Sequence, residues 1–263
     1  MNDRFEGKVA LVVGGANADD SRLLGFAGLA ALEIAKLGGK IIIGDIDDEA
    51  GERSVKRMKE AGLTADYMHL DVTSESDWIT AVEAATSMYG RLDILIMAAG
   101  TGDRDTSIEN TPVDTWRKVM DVTNLGMFLG TRSVVGAMRE SGGGSIVLIS
   151  SMMAKVVRES ANAYATSRAG MTHFARSAAV QYGADNIRVN TVLPGWAFTP
   201  FTSDSFDEER MKRFAARIPL GRVADASDIA GPILFLASDE AKYVTGSELL
   251  ADGGVVSWLG PEV

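Results

Sequence analysis

The sequence predicts an α/β chain folded as a doubly wound parallel sheet of about seven strands, with helices on both faces. Two observations carry this expectation. Short continuous apolar runs such as residues 8–13 (KVALVV) and 94–98 (ILIMA) recur along the chain, as parallel strands buried on both faces require. Helical patterns lie between them, and strand alternating with helix is the mark of a layered α/β fold. At 263 residues the chain is long enough for a full core. No repeat, linker or low-complexity tract divides it, so one domain over 1–263 is expected.

The composition excludes several function classes. A net charge of −10 with no basic stretch argues against a polyanion partner such as nucleic acid. Without cysteine there are no disulfides or thiolate metal sites, which suits a reducing compartment. The N-terminus has no apolar signal core, and no 18-residue apolar run occurs, so a cytoplasmic protein is expected, with no membrane partner. His69 and His173 are the only histidines, and their spacing suits no metal.

The elements follow in order. After the strand over 8–13 come Gly14-Gly15 and an Ala/Leu-rich helix running to residue 37, stopped by Gly38-Gly39. Residues 41–44 form a second strand, with Asp45 at its end. Strand, glycine turn, helix, strand, acid is a dinucleotide-binding unit of the Rossmann type. A carboxylate at that strand end accepts from a free ribose 2′-hydroxyl and repels a 2′-phosphate, so the expected cofactor is NAD. The turn itself departs from regular glycine spacing, with Ala-Asn-Ala-Asp-Asp-Ser-Arg-Leu-Leu between Gly15 and Gly25. Backbone N–H groups of such a loop can still hold a pyrophosphate, with Ser21 as hydroxyl donor or helix cap.

A solvated helix is expected over 48–61 and a third strand over 65–70, leading into Asp71-Val72. Ser74 or Thr73 caps a helix running to residue 89, and the strand over 94–98 is broken at Gly100. Residues 115–139 read as one long helix with Asn124 inside it, where asparagine is a mediocre helix former and, if buried, needs partners. The fifth strand covers 146–149, a helix 162–182, the sixth strand 187–193, and a last strand 244–251 after a helix over 227–237. Between the last two helices, residues 198–218 carry Phe198, Phe201, Phe206, Met211 and Phe214, a candidate lid over an apolar ligand. Trp78, Trp116 and Trp258 read as packing residues.

In doubly wound sheets the ligand lies outside the carboxyl ends of the strands. Residues 14–25, 45, 71–72 and 98–101 all fall there, as do Ser150-Ser151. On the helix after the fifth strand, Tyr164 and Arg168 are four apart and share a face. A phenol with pKa near 10 is a poor base at pH 7, and bringing one to neutrality costs roughly 4 kcal/mol. One cation about 4 Å away in partly screened surroundings supplies about that much.

With these residues assembled, the chain resembles the short-chain dehydrogenase/reductase family over nearly its full length. The resemblance rests on Gly14-Gly15, Asp45, Asp71-Val72, Ala99-Gly100, Asn124, Ser150-Ser151, Tyr164, Ile187-Arg-Val-Asn190, Pro194-Gly195 with Thr199, Val244-Thr-Gly and Asp252-Gly-Gly. It implies Tyr164 as general acid/base and Ser151, thirteen residues before it, as the hydroxyl that holds the substrate oxygen. It implies a relay water on Asn124, adenine beside Asp71-Val72 and the carboxamide on Thr199. Arg168 would hold ribose and phenolate. Gly14, Asn17, Ile46, Ala98, Ala99, Gly100, Pro194, Gly195 and Ala197 complete the implied cofactor contacts. The family pairs through helices around 115–140 and 162–182, which implies a homotetramer or homodimer.

Three departures bear on function. The family's lysine is Arg168, which keeps the charge and a bidentate fork but cannot release a proton. Its Asn-Asn-Ala-Gly is Met97-Ala98-Ala99-Gly100 and the threonine before the first glycine is Val13, so an apolar contact replaces a hydrogen bond. The loop over 15–27 is similar to that of the enoyl-thioester reductases of the same superfamily, which place the tyrosine seven residues before the lysine; here that position is Ala161. The expected activity is therefore interconversion of a secondary alcohol and a ketone. The alternatives are enoyl-thioester reduction, a non-redox lyase or isomerase, or a dinucleotide-binding regulatory protein. Met152, Met153, Val156, Val157, Trp196 and Phe198 point to an apolar or cyclic small-molecule substrate.

Overall fold

The structure, a computed structural model, describes residues 4–16, 25–103, 107–199, 202 and 207–260. Its strands are β1 (Val9–Val13), β2 (Lys40–Asp45), β3 (Ala65–His69), β4 (Ile94–Met97), β5 (Gly144–Ile149), β6 (Ile187–Pro194) and β7 (Glu248–Ala251). They form one seven-stranded sheet in the order β3-β2-β1-β4-β5-β6-β7, and every pairing is parallel. The apolar runs account for this. β1 is buried along its whole length, and its side chains alternate between two cores as the period of two demands. Val9, Leu11 and Val13 join one cluster, while Ala10 and Val12 join the other.

Helices cover both faces. α1 (Phe26–Lys36), α2 (Asp48–Glu60) and α8 (Ala226–Ala237) bury Ala30, Ile34, Val55, Ile229 and Ile233 in the second cluster. α3 (Glu75–Tyr89), α5 (Gly126–Glu140) and α6 (Asn162–Tyr182) bury Trp78, Ala81, Val134, Met138 and Met171 in the first. Ser74 caps α3 by accepting from the Asp77 N–H, and Asp225 closes a capping box at α8. Trp78 is fully buried and donates to the Val72 carbonyl.

Four expectations change. The long helix expected over 115–139 is instead α4 (Val113–Met120), a π-turn (Asp121–Leu125) and α5. The wider turn contains Asn124, whose Nδ2 donates to the Ser167 carbonyl on α6 at 3.1 Å; such bulges concentrate at functional sites. Trp116 and Trp258 are 37% and 38% exposed, so only Trp78 is a core tryptophan. The last strand is confined to Glu248–Ala251; residues 244–247 still bond to β6, through the Ser247 carbonyl and Gly246 N–H of the backbone and through Asn190, whose Nδ2 donates to the Val244 carbonyl and whose Oδ1 accepts from the Ser247 N–H. The expected lid folds partly as α7 (Glu208–Ala215); Phe201 and Phe206 lie outside the described residues.

Candidate active site

The strand registers place Val13 beside both Gly44 and Met97, Asp45 beside His69, Met97 beside Leu148, and Leu148 beside Thr191. The carboxyl ends of β1 to β6 thus form one edge, and the sequence reversal between β1 and β4 falls in its middle. Gly14 occupies that point at φ +74, and a Cβ there would lie 2.5 Å from the Ala99 nitrogen. Only glycine lets the two strand ends meet so closely. Val13 and Met97 share one buried apolar cluster.

Toward β2, Asp45 Oδ2 accepts from the Ala16 N–H at 3.1 Å and Oδ1 from the Asp47 N–H at 3.2 Å. The acid therefore stands against the glycine turn with acceptor capacity to spare. The Ile46 side chain beside it is 63% exposed. Asp71 accepts from the Thr73 N–H and hydroxyl, and Val72 is buried with its carbonyl taken by Trp78. Asn17 and Ser21 lie outside the described residues.

The β2–β3 end of the edge also holds a cluster that single-residue reading missed. Asp48 accepts from the Tyr67 hydroxyl at 2.6 Å and pairs with His69 Nδ1 at 2.7 Å. The Tyr67 bond first, then His69, holds the Asp48 carboxyl below its ordinary range, and the Asp48 bond holds the His69 imidazole above its own. Burial first, then Asp48, pushes the Tyr67 phenol up. His69 contributes fully below about pH 6.5 and loses its contribution as pH rises through its raised folded value; Asp48 contributes above about pH 4 and loses it on acidification. As pH rises from about 6.5 through the raised folded value, the wild type should therefore lose more melting temperature than His69→Gln does. Parallel curves for the two proteins would dismiss the pair as a stabilising contact.

At β5 the two serines divide their work. Ser150 donates to the Arg168 carbonyl at 2.9 Å. Ser151, at 8% exposure, accepts from the Met153 N–H at 3.1 Å and keeps its own O–H to donate. Arg168 Nη1 returns a bond to the Ile149 carbonyl at 2.8 Å, so α6 is fastened to the end of β5. The guanidinium is buried, lies over the Tyr164 ring at 4.8 Å from its centroid, and leaves Nε without a partner. A Cβ on residue 100 would overlap Nη2, so Gly100 makes the space for this arginine. The cation thus faces the ring, whereas helical spacing alone placed the two residues on a common face without fixing their contact. Tyr164 is half-buried.

Two further features complete the site. Asn124 Oδ1 is buried without a partner, an acceptor aimed at something that can donate. Beyond β6, Gly195 packs so closely on Asp252 that a Cβ would lie 2.6 Å from its Cα. Ala197 bridges to Ala224, and the buried Thr199 hydroxyl meets Thr202 at 3.2 Å. Trp196 packs on Phe214 of α7 with ring centroids 4.7 Å apart and planes tilted by 39°, and Arg217 lies over its ring. Asp103 was also missed: it is buried and accepts from the Ala163 and Tyr164 N–H groups. No local pattern could have revealed it, because its partners are about 60 residues away.

These residues fit a dinucleotide along the edge: an acid against a glycine turn, strand ends free of bulky side chains at 98–100, and an orphaned acceptor at Asn124 beside the helix that carries Tyr164. Comparison with known proteins agrees. Residues 23–256 match the family model described as enoyl-(acyl carrier protein) reductase. The chain is 35% identical over 254 residues to a 2,5-dichloro-2,5-cyclohexadiene-1,4-diol dehydrogenase of Sphingobium indicum, covering 97% of this chain and 98% of the relative. It is 37% identical over 259 residues to a 3-alpha-(or 20-beta)-hydroxysteroid dehydrogenase of Mycobacterium bovis, covering 98% and 93%. A solved 7 alpha-hydroxysteroid dehydrogenase, complexed with NADH and 7-oxo glycochenodeoxycholic acid, superposes with a TM-score of 0.88 at 30% identity, covering 98% of this chain and 97% of that one.

Proposed function

This chain belongs to the short-chain dehydrogenase/reductase family, and on that premise we propose that it interconverts a secondary alcohol on a ring and the corresponding ketone, with NAD as its dinucleotide. The observation that carries the reading is the half-buried Tyr164 with a fixed cation across its ring, on a helix fastened to the strand end that bears Ser151. The relatives' printed substrates, a cyclohexadiene diol and hydroxysteroids, support the ring.

When bound, the nicotinamide supplies or accepts the hydride. The chain's own residues do the rest. Ser151 donates its free O–H to the substrate oxygen. Tyr164 takes the alcohol proton in oxidation and returns it in reduction. Arg168 holds charge beside the phenol and bonds ribose hydroxyls, while Asn124 Oδ1 accepts from a water that exchanges protons with the site. Gly14 and the Gly15 backbone, with Asn17 and Ser21 of the adjoining sequence, would hold the pyrophosphate; Ile46, Asp71 and Val72 would flank the adenine. Ala98, Ala99 and Gly100 would line the middle of the cofactor, and Pro194, Gly195, Ala197 and Thr199 would hold the carboxamide.

NAD over NADP rests on Asp45. Asp45→Asn should weaken NAD by about tenfold, the loss of roughly 1.5 kcal/mol from a charge-assisted hydrogen bond, and narrow the gap to NADP. Equal binding of NAD and NADP to the wild type, by titration calorimetry, would refute it. For the reaction itself, the protein should reduce NAD with a panel of cyclic secondary alcohols, followed by NADH absorbance. A second reading, reduction of an enoyl thioester, is favoured by the description of the matched family model. Turnover of a crotonyl thioester with no alcohol or ketone activity would establish it instead; Ala161 in place of its tyrosine opposes it.

A further inference from the structure

Helix α6 begins without a cap of its own. Ala161 precedes it at φ 64, ψ 45, a left-handed conformation uncommon for alanine, and its side chain offers no acceptor. The first-turn N–H groups turn instead to the segment after β4. Asp103 Oδ2 accepts from the Ala163 N–H at 2.8 Å, and Oδ1 accepts from the Tyr164 N–H at 2.9 Å. Asp103 is 3% exposed. A carboxylate so deep is retained where charge-assisted bonds and a helix N-terminus favour it.

The same segment touches the site at two more points. Residue 102 lies against the Tyr164 ring, where a Cβ would be 3.6 Å from Cδ2, and Gly100 makes room for Arg168. Further along, Asn162 Nδ2 donates to the Thr111 hydroxyl at 2.8 Å. One of the two bonds to Asp103 is thus made by the backbone of Tyr164 itself. The direction in which the phenol leaves the helix depends on how that first turn is held.

We propose that Asp103 is a positioning residue for Tyr164: it fixes the first turn of α6 against the segment after β4, and so sets where the phenol meets the substrate oxygen. The proposal rests on the reading of Tyr164 as the proton-transfer group. A misplacement of about 1 Å is enough to cost a large factor in rate, and such a loss falls on the chemical step rather than on dinucleotide binding.

Asp103→Asn keeps the shape but turns one acceptor into a donor. Its kcat should fall about tenfold or more, while KM for NAD and the NAD dissociation constant stay within about twofold. Asp225→Ala, which removes the cap of α8, should lower the melting temperature and leave kcat unchanged. If Asp103→Asn behaves like Asp225→Ala, Asp103 is only a cap and the proposal fails. Should the variant not fold, amide exchange in the wild type decides. The Ala163 and Tyr164 amides should exchange as slowly as those in the middle of α6, and fast exchange would overturn the clamp. If Tyr164→Phe keeps its rate, the reading of the site fails first. If Tyr164→Phe is inactive while Asp103→Asn keeps full kcat, only the assignment of Asp103 is lost.

Discussion

Tyr164→Phe is expected to lower kcat about a thousandfold, within the range that a positioned acid or base contributes, and to leave dinucleotide affinity nearly unchanged. The substitution removes one oxygen. The ring stays under the Arg168 guanidinium, and the first turn of α6 keeps its bonds to Asp103, because these use the backbone. The melting temperature should therefore shift by no more than about 2–4 °C, the scale of a loss near 1 kcal/mol in a chain of this size. Stopped-flow hydride transfer and thermal melts separate the two quantities. A variant retaining more than about a tenth of the wild-type kcat would mean that another group carries the proton.

The second large effect is expected at Arg168. A buried guanidinium with one hydrogen bond to the Ile149 carbonyl, a ring face at 4.8 Å and an unpartnered Nε is poorly compensated for its desolvation. Leaving water costs a buried ion several kcal/mol, against about 2 kcal/mol from a desolvated cation–π contact and about 1.5–3 kcal/mol from a charged hydrogen bond. These terms are of similar size, so the residue brings little net stability; on the proposed reading its charge serves the site. Arg168→Met should keep or raise the melting temperature while kcat falls about a hundredfold, as for other electrostatic supports of developing charge. Arg168→Lys should restore kcat to within about tenfold or raise it, with a modest change in pH optimum, since lysine supplies the charge and can also pass a proton. A Met variant that loses stability and activity together would make Arg168 a structural residue. Loss of NAD binding in the Lys variant would give it a different partner.

Much of the fold is legible in the chain. α6 spans 162–182 as its pattern predicts, and continuous apolar runs mark the strands because both faces of a parallel sheet are covered. The π-turn at Asn124 was not legible, since one inserted residue hardly alters a helical period. Trp116 and Trp258 show the limit of composition: an aromatic residue suits a core, but only its neighbours decide whether it enters one. At the candidate site, the division of labour between Ser150 and Ser151 needed the Arg168 carbonyl and the Met153 amide to be seen in space.

The sequence by itself determined the alternation of elements, the acid at the end of β2 and the residue types along the edge, because burial period and turn chemistry are local properties. Tertiary structure alone decided that the Arg168 cation lies over the Tyr164 ring, that Gly100 makes its space, and that Asp103 holds the helix carrying both. The physical reason is range. Patterns act over a few residues, whereas a buried charge is satisfied by whichever groups the packed fold brings to it, and here these come from strand ends and loops distant in the chain.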